Sequence, residues 1–127
     1  MQLHTFSYTN RHGWSLDRLP ALDSDRTLVV AFGAPGLIDD ARPLTALREA
    51  YPRASIVGCS TSGEIAGAQL VDDSLSVAVA RFDHPSTSVA SATVAVASPS
   101  DSFAAGQQVA HQLAGRPYVP SWSTRTV

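Results

Sequence analysis

Basic residues, cysteines and long hydrophobic runs are all scarce in this chain of 127 residues. It contains no lysine, and its nine basic residues are scattered arginines that leave a net charge of −2 at pH 7. Since a protein that binds a phosphate backbone needs a basic patch, we expect no nucleic-acid partner. The single cysteine, Cys59, excludes an internal disulfide and suits a reducing compartment.

The chain also lacks a segment of the kind that targets a protein to a membrane. The N-terminal stretch MQLHTFSYTNRHGW has no apolar core, so it is not a signal peptide. The longest apolar stretch, at about residues 28–38, is interrupted by Gly33, Pro35 and Gly36 and is too short to span a bilayer. The sequence therefore predicts a cytoplasmic protein without a membrane partner.

What is present is a globular composition, 44% hydrophobic and 16% charged, and a strand–helix–strand pattern. Residues 27–32 and 54–59 are apolar, β-branched runs bounded by turn residues, which predict two buried strands. Between them, Asp39 or Asp40 can cap a helix. The apolar face of this helix consists of Leu44, Leu47 and Tyr51. A crossover of this length predicts a parallel βαβ unit.

Further elements complete an α/β fold with a mixed β-sheet and flanking helices. Residues 74–82 alternate between apolar and small residues and predict a strand, and residues 87–97 predict another strand antiparallel to it. A last helix follows Ser98 or Ser100 and ends at Gly115. Its predicted inner face consists of Phe103, Gly106, Ala110 and Leu113. Residues 118–127 fit no strand pattern, so we expect a single domain over 1–127 that is truncated at its C-terminus.

The stretch IVGCSTSGEIAG, residues 56–67, is the strongest candidate for a binding site. It follows a predicted strand, and α/β sheets bind ligands beyond the carboxyl ends of their strands. Thr61 and Glu64 have the spacing of a helix capping box, and the N–H groups of such a helical turn bind carboxylates. With Glu64 as a partner for an ammonium group, the pocket would suit a free amino acid. The predicted ligand-binding residues are Gly58, Cys59, Ser60, Thr61, Ser62, Gly63 and Glu64.

Three alternatives remain open at this point. The capping box is often only structural, and Gly67 would shorten any helix, so the segment could be a bare loop. Cys59 or Ser60 could act as a nucleophile, although none of the four histidines, at positions 4, 12, 84 and 111, can be paired with Cys59 from sequence. An unpaired sheet edge could bind another protein. No cluster has metal-ligand spacing, and no phosphate loop is present, so we expect no metal and no cofactor.

Three stretches together resemble the N-terminal half of the FIST domain, a sensory domain of signal-transduction proteins in prokaryotes and eukaryotes. They are LPALDSDRTLVVAFGAP, YPRASIVGCSTSGEI and DDSLSVAVARF. The resemblance implies a non-enzymatic domain that senses small ligands inside the cell, amino acids in particular, with Gly58 to Glu64 as its signature. Since no output module follows in the sequence, it also implies a signalling partner protein.

Overall fold

The computed structural model describes residues 1–66 and 68–114. The chain forms two compact units, Met1–Val89 and Ala90–Val127. The strands are β1 (Gln2–Thr9), β2 (Gly13–Trp14), β3 (Thr27–Gly33), β4 (Ser55–Ser60), β5 (Glu64–Ala66), β6 (Gln69–Val71) and β7 (Ser74–Arg81), and the α-helices are α1 (Arg42–Ala50) and α2 (Ser102–Ala114). Short 3-10 helices span Pro35–Asp39 and Pro99–Asp101.

The first unit is built on a five-stranded sheet in the order β2-β1-β7-β3-β4. Only β3 and β4 run parallel, and the other neighbours are antiparallel, so the predicted mixed sheet and α/β fold class are confirmed. The short strands β5 and β6 pair with each other as a separate antiparallel ribbon.

The predicted βαβ unit is confirmed in β3, α1 and β4. Val29 and Ala31 of β3 lie in the same buried core cluster as Leu47 and Tyr51, so one face of the sheet forms the core with α1. Tyr51, which follows the helix, also donates its hydroxyl to the carbonyl of Pro20 at 2.9 Å. This bond gives a buried phenol a hydrogen-bond partner.

Two details of the βαβ unit differ from the prediction. The second strand is not buried, because β4 lies at the edge of the sheet and four of its six residues are exposed. Leu44 is 44% exposed, and Pro43 is the residue of the first helical turn that is buried instead. The N-cap of α1 is Ala41, but Asp40 does accept a hydrogen bond from the N–H of Arg42 at 3.1 Å, whereas Asp39 lies in the 3-10 helix.

The two predicted strands that follow have opposite outcomes. The alternation over 74–82 is confirmed by β7, in which Leu75, Val77 and Val79 are buried. The strand predicted over 87–97 is wrong, since these residues belong to no strand. The reason is that its expected partner, β7, already pairs with β1 along one edge and with β3 along the other. A strand with both edges paired cannot add a hairpin partner.

In the second unit, Ser98 is the N-cap of the 3-10 helix Pro99–Asp101, which leads into α2. The predicted inner face of α2 is not a buried face: Phe103 is 77% exposed, Gly106 and Ala110 are exposed, and Leu113 is half-buried. The buried residue of α2 is Ala105. The polar side chains of Gln107, Gln108, His111 and Gln112 are exposed, as predicted. The predictions for Gly115 and for residues 118–127 lie outside the described residues. Among the described helices, none has the length and apolar character that a membrane span requires.

Candidate functional site

A cleft of about 240 Å³ lies where β3 and β4 end. Its lining is Ala34, Pro35, Thr61, Ser62, Gly63, Glu64, Asp72 and Asp73. Four of the seven residues predicted as ligand-binding are in this lining, namely Thr61 to Glu64. The cleft therefore falls at the carboxyl ends of two parallel strands, which is where α/β sheets bind their ligands.

The strand directions explain why these three segments meet. Parallel β3 and β4 end at the same edge of the sheet, so Ala34 and Thr61 come out side by side. Because β7 runs antiparallel to β3, the turn that precedes it starts from this same edge. Two backbone bonds join the segments: Thr61 N–H to the Gly33 carbonyl at 3.0 Å and Ala34 N–H to the Ser74 carbonyl at 2.9 Å.

Of the two conformations left open after Thr61, a helical turn and a bare loop, the structure has the loop. Residues 61–63 form a loop, and Glu64 is the first residue of β5, which pairs with β6. The Thr61 hydroxyl nevertheless donates to Glu64 Oε1 at 2.5 Å, so the two residues of the supposed capping box do interact. The backbone N–H groups of Ser62 and Gly63 make no hydrogen bond to any of the described residues.

Glu64 is a buried wall of the cleft, with only 1% of its surface exposed. Besides the bond from Thr61, its Oε2 accepts from the N–H of Ser74 at 3.3 Å and from the Ser74 hydroxyl at 3.2 Å. Both carboxyl oxygens are thus held by protein donors. A buried polar group needs such partners, and Glu64 is anchored by them within the protein.

The remaining predicted residues lie in β4, outside the lining of the cleft. A side chain on Gly58 would place its Cβ 1.9 Å from the carbonyl oxygen of Ala31. Gly58 therefore allows the backbone of β3 to approach β4 closely. Cys59 and Ser60 are exposed in β4, opposite Phe32 and Gly33 of β3.

Asp72 and Asp73, in the turn between β6 and β7, also belong to the cleft. Asp73 adopts φ = 54°, the left-handed region that Asp tolerates better than most residues. Both side chains are exposed, and no arginine is among the lining residues, so the cleft carries two exposed carboxylates besides the buried Glu64 and no basic lining residue. The two aspartates lie in the cleft because β7 runs antiparallel to β3. No local sequence pattern reveals this strand direction.

The histidines of the first unit are not positioned for a Cys–His pair. His4 lies in β1 and His12 in the turn after it, and β7 and β3 both separate β1 from β4. At about 4.8 Å per strand, three spacings put β1 about 14 Å from the strand of Cys59. His84 follows the far end of β7. Among the described residues, no group of three or more His, Cys, Asp or Glu side chains could hold a metal ion.

A second, wider depression of about 530 Å³ lies over the face of the sheet opposite the core. Its lining alternates hydroxyl and apolar side chains and includes no charged residue: Thr5, Phe6, Ser7, Ser15, Val30, Phe32, Ile65, Ser76, Val77 and Ala78. Ile65 of β5 borders this depression, and Glu64 of β5 borders the cleft that contains Asp72 and Asp73, called the acidic cleft below. The β5–β6 ribbon therefore lies between the depression and the acidic cleft.

Comparison with known proteins gives one match. The family model of the FIST N domain matches residues 27–126, which include both parallel strands and every residue of the cleft. No curated protein and no solved structure matches the chain.

Proposed function

The chain belongs to the FIST N domain family, a family of sensory domains in signal transduction, and on that premise we propose that its acidic cleft binds a small amino compound. A free amino acid is the ligand that fits the cleft best. The observation that carries this proposal is the meeting of the loop 61–63 with Asp72 and Asp73 at one edge of the sheet.

The chemistry of the two walls supports a zwitterionic ligand. The carboxylates of Asp72 and Asp73 attract an ammonium group, and no basic lining residue competes for them. Across the cleft, the N–H groups of Ser62 and Gly63 and the Ser62 hydroxyl are donors of the kind that a carboxylate accepts. In this arrangement Asp72 and Asp73, rather than the anchored Glu64, serve as the ammonium partners.

The size of the cleft supports a ligand no larger than an amino acid. At about 240 Å³, it lies below the roughly 300–1,000 Å³ that drug-sized ligands occupy. Binding would act by population shift, because a ligand that prefers one arrangement of the cleft raises the population of that arrangement. A partner protein would then recognise the favoured arrangement.

Thermal unfolding with each of the twenty amino acids in turn tests the proposal. A ligand that binds only the folded state at about 100 times its Kd adds about 2.7 kcal/mol, on the order of 10 °C in Tm for a domain of this size. We expect a selective rise that is lost in the double variant Asp72→Asn, Asp73→Asn. Asparagine also tolerates the left-handed conformation at position 73, so this variant should fold.

The matched control is the double variant Asp17→Asn, Asp101→Asn, which removes the same charge at two exposed positions outside the cleft. It should keep the rise in Tm. If no amino acid raises the Tm of the unaltered chain, this ligand class is refuted. If both double variants lose the rise, the effect is one of net charge and not of the cleft.

A second candidate function is protein interaction through the edge of β4. Among the described strands β4 pairs only with β3, and its sequence SIVGCS carries no charge. An uncharged, exposed edge is a template for another strand. Sedimentation at increasing concentration should show association that Val57→Lys abolishes and that Thr45→Lys, on the exposed surface of α1, does not. A monomer at every concentration would count against self-association.

A further inference from the structure

We propose that Glu64 is a positioning residue that, with Ser74, ties the open end of the β5–β6 ribbon to β7, so that the ribbon carries the occupancy of the cleft to the face of the sheet opposite the core. The claim that the ribbon responds to a ligand in the cleft rests on the proposed function. The claim that Glu64 ties the ribbon to β7 does not. The ribbon, defined by Glu64–Ala66 and Gln69–Val71, is the only element of the described chain that is joined to both polar walls of the cleft.

The chain connectivity gives the ribbon this position. The loop 61–63 leads directly into β5, and Asp72 and Asp73 directly follow β6. Glu64 and Val71, the first and last residues of the ribbon, are paired in register. A ligand that bridges the loop and the two carboxylates would therefore span the open end of the ribbon and restrain it.

Glu64 and Ser74 form the hydrogen-bonded base beneath this open end. Glu64 accepts from Thr61 on one side and from Ser74 on the other. The Ser74 hydroxyl also lies 3.0 Å from the carbonyl of Val71, and its single proton is shared between Val71 and Glu64. The Ser74 carbonyl accepts from the N–H of Ala34, so one hydrogen-bond network joins the three segments that line the cleft, residues 34–35, 61–64 and 72–73.

Among the ribbon side chains that the structure describes, those of Glu64, Ile65 and Val71, only Glu64 is buried. Ile65 is 70% exposed, and so contributes little apolar burial. Its carbonyl accepts from the Ser76 hydroxyl at 3.0 Å, which fixes the ribbon beside the uncharged depression. Segments with little apolar burial open locally at a lower free energy than the core does. We infer that the ribbon opens separately from the five-stranded sheet and that Glu64 sets how often it does so.

Amide hydrogen exchange followed by NMR on the ligand-free chain tests the tie. In Glu64→Ala, the ribbon amides of Gln69 and Val71, which belong to the two hydrogen-bonded pairs of the ribbon, should exchange at least about tenfold faster, because the ribbon opens more often once Ser74 has lost its buried acceptor. The core amides of Val29 and Val77 should change less. Glu64→Gln should retain the protection of the ribbon amides, since the side-chain oxygen of glutamine can accept from Ser74 and its amide NH2 group can donate to the Thr61 hydroxyl. Glu49→Ala, at an exposed position of α1, is the matched control.

Each result decides the matter. A uniform acceleration of ribbon and core amides in Glu64→Ala would mean that Glu64 only stabilises the whole fold, and unchanged ribbon exchange would mean that it holds nothing; either overturns the tie. If Glu64→Ala does not fold, Ser74→Ala removes only the hydroxyl part of the base and should give the same ribbon-specific pattern in a milder form. A uniform or absent effect in that variant also overturns the tie.

An equimolar mixture of the twenty amino acids separates this inference from the proposed function. In the unaltered chain the mixture should slow the exchange of Gln69 and Val71 more than that of Val29. Protection of the core without the ribbon would support binding but overturn the role of the ribbon. If the mixture protects no amide while Glu64→Ala still loosens the ribbon alone, then the amino-acid ligand is refuted, the coupling to occupancy falls with it, and the positioning role of Glu64 stands.

Discussion

The parallel strands β3 and β4 belong to one βαβ unit and carry similar apolar sequences, yet their surroundings differ. In four of the six cross-strand pairs the β4 residue is the more exposed one. For example, Val29 is buried and Ile56 half-buried, and Val30 is half-buried whereas Val57 is 42% exposed. The cause is that β7 covers the second edge of β3, while β4 pairs with β3 alone among the strands that the structure describes. Position in the sheet, which composition does not specify, decides how much each strand buries.

The difference matters for the cleft because each strand leads into a segment that lines it. The segment after β3 extends a strand that is paired along both edges. The loop after β4 extends an edge strand and depends on the Thr61–Gly33 backbone bond and on Glu64 for its position. The segment after β3 is therefore held by the sheet, and the loop after β4 is held by a few polar contacts. This difference places the adjustable part of the site on the side of β4.

The largest expected effect is that of Gly58→Ala, which would break the pairing between the two strands. Its Cβ would overlap the carbonyl of Ala31, and a backbone atom cannot move aside as a side chain can. We expect a loss of about 3 kcal/mol in the free energy of unfolding, the upper part of the overpacking range. Urea denaturation measures it. Gly36→Ala, where a Cβ would contact nothing within 4 Å, should lie close to the unaltered chain.

Valine-to-alanine substitutions along the two strands should give a graded series. Val29→Ala leaves a cavity in the core and should cost about 2 kcal/mol. Val30→Ala, at a half-buried position, should cost about 1 kcal/mol, and Val57→Ala should stay within about 0.5 kcal/mol. Equal losses at Val29 and Val57 in urea denaturation would contradict the edge position of β4.

Thr61→Val removes the hydroxyl at the end of β4 and keeps the shape of the side chain. It leaves Glu64 Oε1 without the donor it has here, so we expect a loss of about 1 kcal/mol. Thr45→Val, at an exposed position of α1, is the matched control for the change of hydroxyl to methyl. A smaller loss for Thr61 than for Thr45 would mean that the hydroxyl does not hold the loop.

The fold could be predicted from sequence where the signal is local, and the same limit applies to the site. The alternation of β7 and the apolar runs of β3 and β4 reveal strands by themselves. Whether residues 87–97 find a partner depends on which strand edges are free, and this is a property of the assembled sheet. Likewise, the spacing of Thr61 and Glu64 predicted that the two residues lie close together but not the bond between their side chains, since in a capping box each side chain bonds the backbone N–H of the other residue.

Cys59→Ser should have the smallest effect on stability. Alkylation of the Cys59 thiol is also the most direct test of how exposed β4 is. Cys59 lies opposite Phe32 and is exposed in β4, so replacing its sulfur should change the free energy of unfolding by less than about 0.5 kcal/mol. The thiol should be alkylated completely by iodoacetamide without denaturant. A thiol introduced by Val29→Cys in the Cys59→Ser background should react only when the chain unfolds. Protection of Cys59 in the native chain would mean that the edge of β4 is covered, and the contrast between the two strands would then belong to their pairing and not to their exposure.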